Sequence, residues 1–167
     1  MRDCRRHLIS GFKIKKPQEL KRIFSYLRAR GKRIVFTNGC FDLLHYGHIQ
    51  YLEAAKQKGD VLIVALNSDS SIKRIKGPKR PIVKEGDRLG TIAGLESVDY
   101  VTLFNEDTPL KLIKLLKPDI LIKGADWDKK DIIGSDIVAG YGGKTDTVKF
   151  IPGRSTTGII KKVASLS

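Results

Sequence analysis

Two histidines separated by two residues carry the clearest chemical signal in this chain. His45 and His48 follow an apolar, β-branched segment at residues 33–37, and a helical pattern of apolar residues begins at or near His48. Where a parallel strand passes into a helix, the helix N-terminus presents unpaired N–H groups to anions. Gly39 removes a side chain from the turn, so the backbone can approach a phosphate closely. The segment therefore predicts a site for a phosphate-bearing ligand.

Later segments contain further groups that suit phosphate. Ammonium groups neutralise phosphate as point charges, whereas a guanidinium can bind it in a bidentate manner. Hydroxyls at a helix start suit phosphate oxygens, and a simple helix cap selects the same residue types. Lys76, assisted by Lys73, is expected to act from a loop, because Gly77-Pro78 breaks the pattern there. The candidate cations and hydroxyls are Lys73, Lys76, Arg80, Arg88, Lys123, Ser155, Thr156 and Thr157.

Apolar strands that alternate with helical patterns must position these residues. We expect strands at residues 33–37, 60–66, 100–104, 120–122 and 145–151. We expect helices at residues 17–30, from near 48, and at 84–95, 109–117, 131–141 and 156–165. Residues 60–66 are almost continuously apolar, as expected for a strand that is covered on both faces. The alternation is typical of a single α/β domain with a parallel, doubly wound sheet.

The motifs resemble those of a known superfamily. His45-Tyr46-Gly47-His48 resembles the HxGH signature of the nucleotidyltransferases, which join a nucleotide to a phosphorylated small molecule. Lys123-Gly124-Ala125-Asp126-Trp127 and Ser155-Thr156-Thr157 resemble the second and third signatures of the cytidylyltransferase-like branch, in the same order. The resemblance covers roughly residues 32 to 163 and is greatest to the adenylyltransferase domains that act on D-glycero-β-D-manno-heptose 1-phosphate, here without their fused sugar kinase.

The resemblance implies a Rossmann-like fold and a nucleotidyl transfer. In that reaction an oxygen of the acceptor phosphate attacks the α-phosphorus of a nucleoside triphosphate, and pyrophosphate leaves. Because the nucleophile is already an anion, the main demand is to align two polyanions and to stabilise the charge that develops at the α-phosphate. We expect protonated imidazoles beside a bound triphosphate, since the anion favours the charged form.

The resemblance also implies roles for individual residues. His45, His48 and Lys76 would be catalytic, and Asp42 and Arg80 would contact the acceptor. Asp42 can equally stabilise a turn, and Trp127 can equally pack in the core instead of stacking on the nucleotide. The implied nucleotide contacts are Thr37, Asn38, Gly39, Phe41, Gly47, Lys73, Arg88, Lys123, Gly124, Asp126, Trp127, Ser155, Thr156 and Thr157.

The identity of the nucleotide stays open at this point. Glycerol-3-phosphate cytidylyltransferases, which use CTP, generally carry an arginine where this chain has Glu96, whereas Thr37-Asn38-Gly39 and Arg80-Pro81-Ile82 are similar to the heptose enzymes. These details favour ATP and the heptose acceptor. We expect Mg²⁺ to accompany the triphosphate and to be held mainly by its phosphates, because no carboxylate cluster in the sequence marks a metal site.

The positive charge of the chain is concentrated at its N-terminus. Of a net charge of +14, residues 1–33 contribute twelve Lys and Arg against two acidic residues. We therefore divide the chain into a basic segment with one amphipathic helix, residues 1–31, and a nucleotidyltransferase domain, residues 32–167. An inactive basic binding module is the alternative that this charge suggests. Nucleic acid is not expected as a partner, because no aromatic residues alternate with the charges.

Composition gives the remaining expectations. No apolar run reaches transmembrane length and the start has no signal-peptide pattern, so we expect a cytoplasmic enzyme with no membrane span. Cys4 and Cys40 are isolated and expected to be reduced, with no metal site. The resemblance suggests a homodimer that works beside a separate sugar kinase.

Overall fold

Five parallel strands form the sheet at the centre of this computed structural model, which describes residues 9–125, 131–149 and 155–166. The strands are β1 (Ile34–Gly39), β2 (Val61–Asn67), β3 (Tyr100–Phe104), β4 (Ile120–Gly124) and β5 (Lys144–Val148). Their order is β3-β2-β1-β4-β5, with every neighbouring pair parallel. The winding direction reverses between β1 and β4, which is where such sheets bind ligands. The predicted Rossmann-like, doubly wound α/β fold is confirmed.

Helices cover both faces of the sheet. They are α1 (Ile9–Lys13), α2 (Pro17–Arg28), α3 (Tyr46–Lys56), α4 (Asp69–Lys76), α5 (Glu85–Ala93), α6 (Leu110–Leu116), α7 (Ser135–Gly140) and α8 (Thr156–Ala164). In β2, Leu62 and Val64 pack in one apolar layer, whereas Ile63 and Ala65 pack in the other. Alternate side chains of a strand point to opposite faces, so burial of both faces accounts for the apolar run that the sequence shows.

The structure corrects the prediction that Lys73 and Lys76 act from a loop. Both lie in α4, which begins where the Ser68 hydroxyl accepts a hydrogen bond from the N–H of Ser71 at 3.1 Å. The helix ends at Gly77, whose φ of 94° is accessible to glycine at little cost. The Gly-Pro pair therefore ends a helix immediately after Lys76, and both lysines gain a rigid support.

Two other helices begin later in the structure than the sequence predicts. Helix α7 begins only at Ser135, because Gly134 has a φ of 91° and lies in the left-handed region. Helix α6 begins at Leu110, one residue later than predicted, because Pro109 is its N-cap residue. Neither difference changes the order of the elements.

The predicted amphipathic helix near the N-terminus is α2, and it contributes to the core. Leu20 and Phe24 are 0% and 1% exposed and pack in the same apolar layer as Ile113 of α6. Arg28 donates a hydrogen bond to the carbonyl oxygen of Leu116 at 2.9 Å. The basic outer face of α2 remains exposed. In the part of the chain that the structure describes, no helix combines the length and apolar character needed to cross a bilayer.

We expect Phe24→Ala to lower the free energy of unfolding by about 3–5 kcal/mol, because it leaves a cavity between α2 and α6. The matched control is Tyr26→Ala, which removes a side chain that is 57% exposed on the same helix and should cost about 1 kcal/mol or less. Denaturant unfolding of both variants measures the difference. Equal losses would show that α2 does not stabilise the core.

Candidate active site

A cavity of about 650 Å³ opens at the carboxyl ends of the central strands. It lies at the β1–β4 switch point, and its wall includes residues from β1, β2 and β4 and from α3, α4 and α8. The predicted site residues that line it are Asn38, Gly39, Phe41, Asp42, His48, Lys76, Arg80, Lys123, Gly124 and Thr156. The fold therefore brings together residues that are up to 118 positions apart in the sequence.

The two histidines stack at the start of α3. His45 is the N-cap residue and His48 lies in the first turn, with their ring centroids 3.9 Å apart and their planes inclined by 23°. The backbone N–H of His45 donates to Nδ1 of His48 at 3.4 Å. This hydrogen bond assigns the proton of the neutral His48 ring to Nε2. Because His48 lines the cavity, its Nε2–H is a donor available to a ligand.

The electrostatics of the site keep His48 neutral before a ligand binds. Burial lowers the pKa of His48 to about 4, with further contributions from the neighbouring His45 and from Lys76. A neutral imidazole can still donate one hydrogen bond to a phosphate oxygen. A bound anion raises this pKa, so the protonated ring that we expected from the sequence requires the triphosphate to be present.

Asp42 lines the cavity, but its carboxylate is bonded to protein groups. Its carboxylate accepts hydrogen bonds from the Arg80 guanidinium at 2.7 Å and from the N–H groups of Ile82 and Val83 at 2.8–3.0 Å. Burial opposes ionisation, but these hydrogen bonds and the Arg80 charge outweigh it and hold the pKa of Asp42 below its ordinary value. The Asp42 side chain is 1% exposed, so the structure assigns it the anchoring of residues 80–83.

Arg88 is likewise taken up by protein contacts. Its guanidinium donates to the carbonyl oxygens of Val83, Cys40 and Asn67 at 3.0, 2.6 and 2.9 Å and to the Asp69 carboxylate at 2.8 Å. It is 1% exposed and does not line the cavity. Arg88 thus joins three segments around the site, and the phosphate contact implied by the resemblance stays a prediction.

Thr37 and Gly47 are also buried at the base of the site. The Thr37 hydroxyl lies 2.7 Å from the hydroxyl of Tyr51, so this predicted nucleotide contact packs under the cavity floor. Gly47 is buried in the first turn of α3, between the two histidines. Gly39 permits close packing, because a Cβ at this position would lie 3.0 Å from the Phe41 ring.

Two lysines line the cavity on opposite sides of β1. Lys76 is exposed in the last turn of α4 and, within the described ranges, makes no hydrogen bond or ion pair. Lys123 is at the end of β4, and its Nζ donates to the carbonyl oxygen of Asn38 at 3.3 Å. Lys73 is exposed one turn before Lys76 and is absent from the cavity wall. The site therefore offers cations to two separate anionic groups.

The start of α8 adds hydroxyls. Ser155 caps the helix by accepting from the N–H of Gly158 at 3.0 Å, whereas Thr156 donates to the Leu43 carbonyl oxygen at 3.2 Å and lines the cavity. Thr157 is exposed and is not a lining residue. Asp126 and Trp127 lie outside the described residues. The ligand contacts of all these residues stay predictions.

Several lining residues escaped the sequence analysis: Cys40, Tyr51, Asn67, Ile75, Asp107, Pro109 and Ile133. Asp107 and Pro109 follow the carboxyl end of β3, so the rule that ligands gather at these strand ends could have identified them. Burial raises the pKa of the Cys40 thiol despite the cations nearby, which does not favour a nucleophilic role. Across the described residues, no group of three or more His, Cys, Asp or Glu is arranged to hold a metal ion.

Comparisons with known proteins agree with this geometry. A model of the cytidylyltransferase-like family matches residues 36–161. The bifunctional protein HldE of Trichlorobacter lovleyi is 52% identical over 157 residues, which are 94% of this chain and 32% of that protein. HldE of Nitratiruptor sp. is 53% identical over 152 residues, which are 91% of this chain and 32% of that protein. The chain thus spans about a third of the length of these relatives.

Two solved structures share the fold. The lipopolysaccharide core biosynthesis protein from Thermoplasma volcanium is 35% identical, with a TM-score of 0.60 over 72% of this chain and 98% of that one. Pantoate-beta-alanine ligase from Francisella tularensis, solved with beta-gamma ATP and beta-alanine, is 18% identical. Its TM-score is 0.59 over 87% of this chain and 69% of that one. The second likeness concerns the fold alone.

We expect the neutral state of His48 to appear in the pH dependence of stability. The pKa of about 4 in the folded state lies below that of about 6.5 in the unfolded chain, so the unfolded state binds more protons between these values. The stability that the neutral His48 ring contributes is complete above about pH 6.5 and is lost as the pH falls towards about 4. Denaturant unfolding at several pH values should show a shallower decline for His48→Gln than for the wild type. If the free energy of unfolding fell equally with pH in both proteins, the depressed pKa of His48 would be contradicted.

We expect Arg88→Lys to lower the free energy of unfolding by about 2–4 kcal/mol, because a lysine cannot satisfy the buried carbonyl oxygens and Asp69 together. Arg22→Lys on the exposed face of α2 is the control and should change it by less than about 0.5 kcal/mol. Urea unfolding of both variants measures the two effects. A loss no greater than that of the control would remove Arg88 as the structural link.

Proposed function

Because this chain belongs to the cytidylyltransferase-like family, we propose that it transfers AMP from ATP to D-glycero-β-D-manno-heptose 1-phosphate, giving ADP-heptose and pyrophosphate. The observation that carries the proposal is the stacked His45–His48 pair, of which His48 lines the cavity together with Lys76 and Lys123. The names of the similar proteins, HldE and a lipopolysaccharide core biosynthesis protein, favour this acceptor.

The proposed reaction requires orientation and charge stabilisation more than proton transfer. A phosphate oxygen of the acceptor forms a bond to the α-phosphorus, and the bond from that phosphorus to the bridging oxygen of pyrophosphate breaks. The nucleophile is already anionic, so the site has no proton to remove from it. His48 Nε2–H would donate to an α-phosphate oxygen, where charge develops in the transition state. Lys76 and Lys123 would offset the charge of the two substrates.

Mg²⁺ enters this proposal as part of the nucleotide substrate. The ion would offset the negative charge of the triphosphate. The Asp42 oxygens are already occupied by Arg80, Ile82 and Val83, and the other carboxylate on the described cavity wall, Asp107, pairs with Arg74. This donor set does not suit a dedicated metal cage, so the phosphates would supply most of the ligands.

The other parts of the proposal concern the surroundings of the enzyme. A sugar kinase, the class of enzyme that phosphorylates a sugar with ATP, would supply the acceptor. The use of ATP favours a cytoplasmic reaction. A homodimer is also expected, as the resemblance implies.

Pyrophosphate release tests the proposal directly. The full chain is assayed with ATP or CTP against heptose 1-phosphate and glycerol 3-phosphate, in the presence of Mg²⁺. We expect turnover with ATP and heptose 1-phosphate, and a loss in kcat of about 10²–10³-fold in His48→Ala, because one donor to the developing charge is removed.

The control is Glu53→Ala, which changes an exposed residue of the same helix and should retain activity. Turnover with CTP and glycerol 3-phosphate alone would keep the chemistry but replace the substrates. No turnover with either nucleotide would leave the inactive basic binding module as the better explanation.

A further inference from the structure

The residues that line the cavity come from both sides of β1 in the sheet, and the two sides differ in charge. On the side of β4, its described wall contains Lys123, Gly124 and Thr156, with no carboxylate. On the side of β2 and β3, it contains a cation, Lys76, and a carboxylate, Asp107. The first side suits a triphosphate. The second suits a ligand that carries both a phosphate and hydrogen-bond donors.

We infer that Asp107 binds hydroxyl groups of the acceptor sugar phosphate and so selects for a polyhydroxylated acceptor; this inference rests on the proposed function. Its carboxylate lines the cavity together with Lys76 and Arg80. A carboxylate repels a phosphate but accepts hydrogen bonds from hydroxyls. Lys76 and Arg80 would therefore hold the acceptor phosphate, and Asp107 would determine how the sugar is oriented.

The carboxylate is held in place yet remains available. The Asp107 Oδ1 accepts from Arg74 Nε at 2.7 Å, and the same guanidinium donates to the carbonyl oxygen of Asn105. Within the described ranges, Oδ2 has no protein partner, and the side chain is 53% exposed. One oxygen is thus fixed by the protein while the other can accept from a ligand.

The loop that carries Asp107 is anchored to the start of α4. The Ser68 hydroxyl donates to Oδ1 of Asn105 at 2.7 Å, and the Ser71 hydroxyl donates to the carbonyl oxygen of Glu106 at 2.8 Å. Since α4 also carries Lys76, the loop and the cation share one rigid support. This arrangement would fix the distance between the phosphate-binding group and the hydroxyl-binding group.

Two observations favour a ligand role over a simple surface ion pair. Asp42, the carboxylate first expected to contact the acceptor, has both oxygens occupied by Arg80, Ile82 and Val83. Ile75 and Pro109 line the same cavity as Asp107, and Ile75 is 43% exposed. Aliphatic surface beside a carboxylate suits a sugar, which presents C–H groups and hydroxyls together.

The test compares Asp107→Asn with the adjacent control Glu106→Gln. Glu106 pairs with Lys111 at 3.2 Å and is absent from the cavity wall, so both variants remove one carboxylate charge from the same loop. For the full chain we would measure kcat, the KM of ATP and the KM of heptose 1-phosphate. Calorimetry with a non-hydrolysable ATP analogue present would give the Kd of heptose 1-phosphate and of inorganic phosphate.

We expect Asp107→Asn to raise the KM and Kd of heptose 1-phosphate by roughly 10- to 100-fold, as for a lost hydrogen bond to a charged group. The KM of ATP should stay within about twofold. Inorganic phosphate should bind as well as before or more tightly, because a nearby negative charge is removed. Glu106→Gln should leave every value within about twofold.

The outcomes separate this inference from the proposed function. Unchanged acceptor binding in Asp107→Asn, or equal rises for ATP and acceptor, would overturn the role of Asp107 while the wild-type turnover still stands. If the wild type binds heptose 1-phosphate without turnover, and Asp107→Asn weakens that binding, the proposed reaction fails and the role of Asp107 is supported. If heptose 1-phosphate does not bind to the wild type, both are overturned.

Discussion

The buried guanidinium of Arg88 is the interaction on which the rest of the site depends. It reaches the Cys40 carbonyl oxygen after β1, the Asn67 carbonyl oxygen at the end of β2 and the Asp69 carboxylate at the start of α4. Carbonyl oxygens and a half-buried carboxylate that are partly shielded from water at one point would be costly to leave without a donor. A single planar group with five donors satisfies them together and thereby fixes the relative positions of the loop, the strand and the helix.

The β1–α3 loop shows why such fixing is needed. Phe41 has a φ of 45°, a left-handed conformation that few non-glycine residues adopt and that must be stabilised by its surroundings. Contacts on both sides of it do this, since the Cys40 carbonyl is bound by Arg88 and the Asp42 carboxylate by Arg80, Ile82 and Val83. The loop then leads directly into the stacked histidines of α3. In the proposed reaction, the donors for the developing negative charge would therefore be in position before a substrate binds.

Sequence reasoning was most successful where a local pattern has one physical meaning. The apolar run of β2, the amphipathic α2 and the strand-to-helix passage at His48 each follow from spacing and residue type. It was wrong about the support of Lys73 and Lys76, which lie in α4, because a Gly-Pro pair marks a break but not the length of helix before it. It implied ligand contacts for Arg88 and Asp42 but could not show their protein partners, and it left open the turn-stabilising role of Asp42 that the contacts with Ile82 and Val83 match.

The sequence by itself determined the class of fold, the order of its five strands and the motif that brings two histidines to a helix start, because these depend on interactions between residues near one another in the chain. Tertiary structure alone decided which charged groups remain for a ligand. Arg88 and Asp69, or Asp42 and Arg80, are separated by 19 and 38 positions, and their pairing is evident only when the strands lie side by side. A charge paired in the protein and a charge that faces a cavity look the same in a sequence, since burial and partners come from the packing of distant segments.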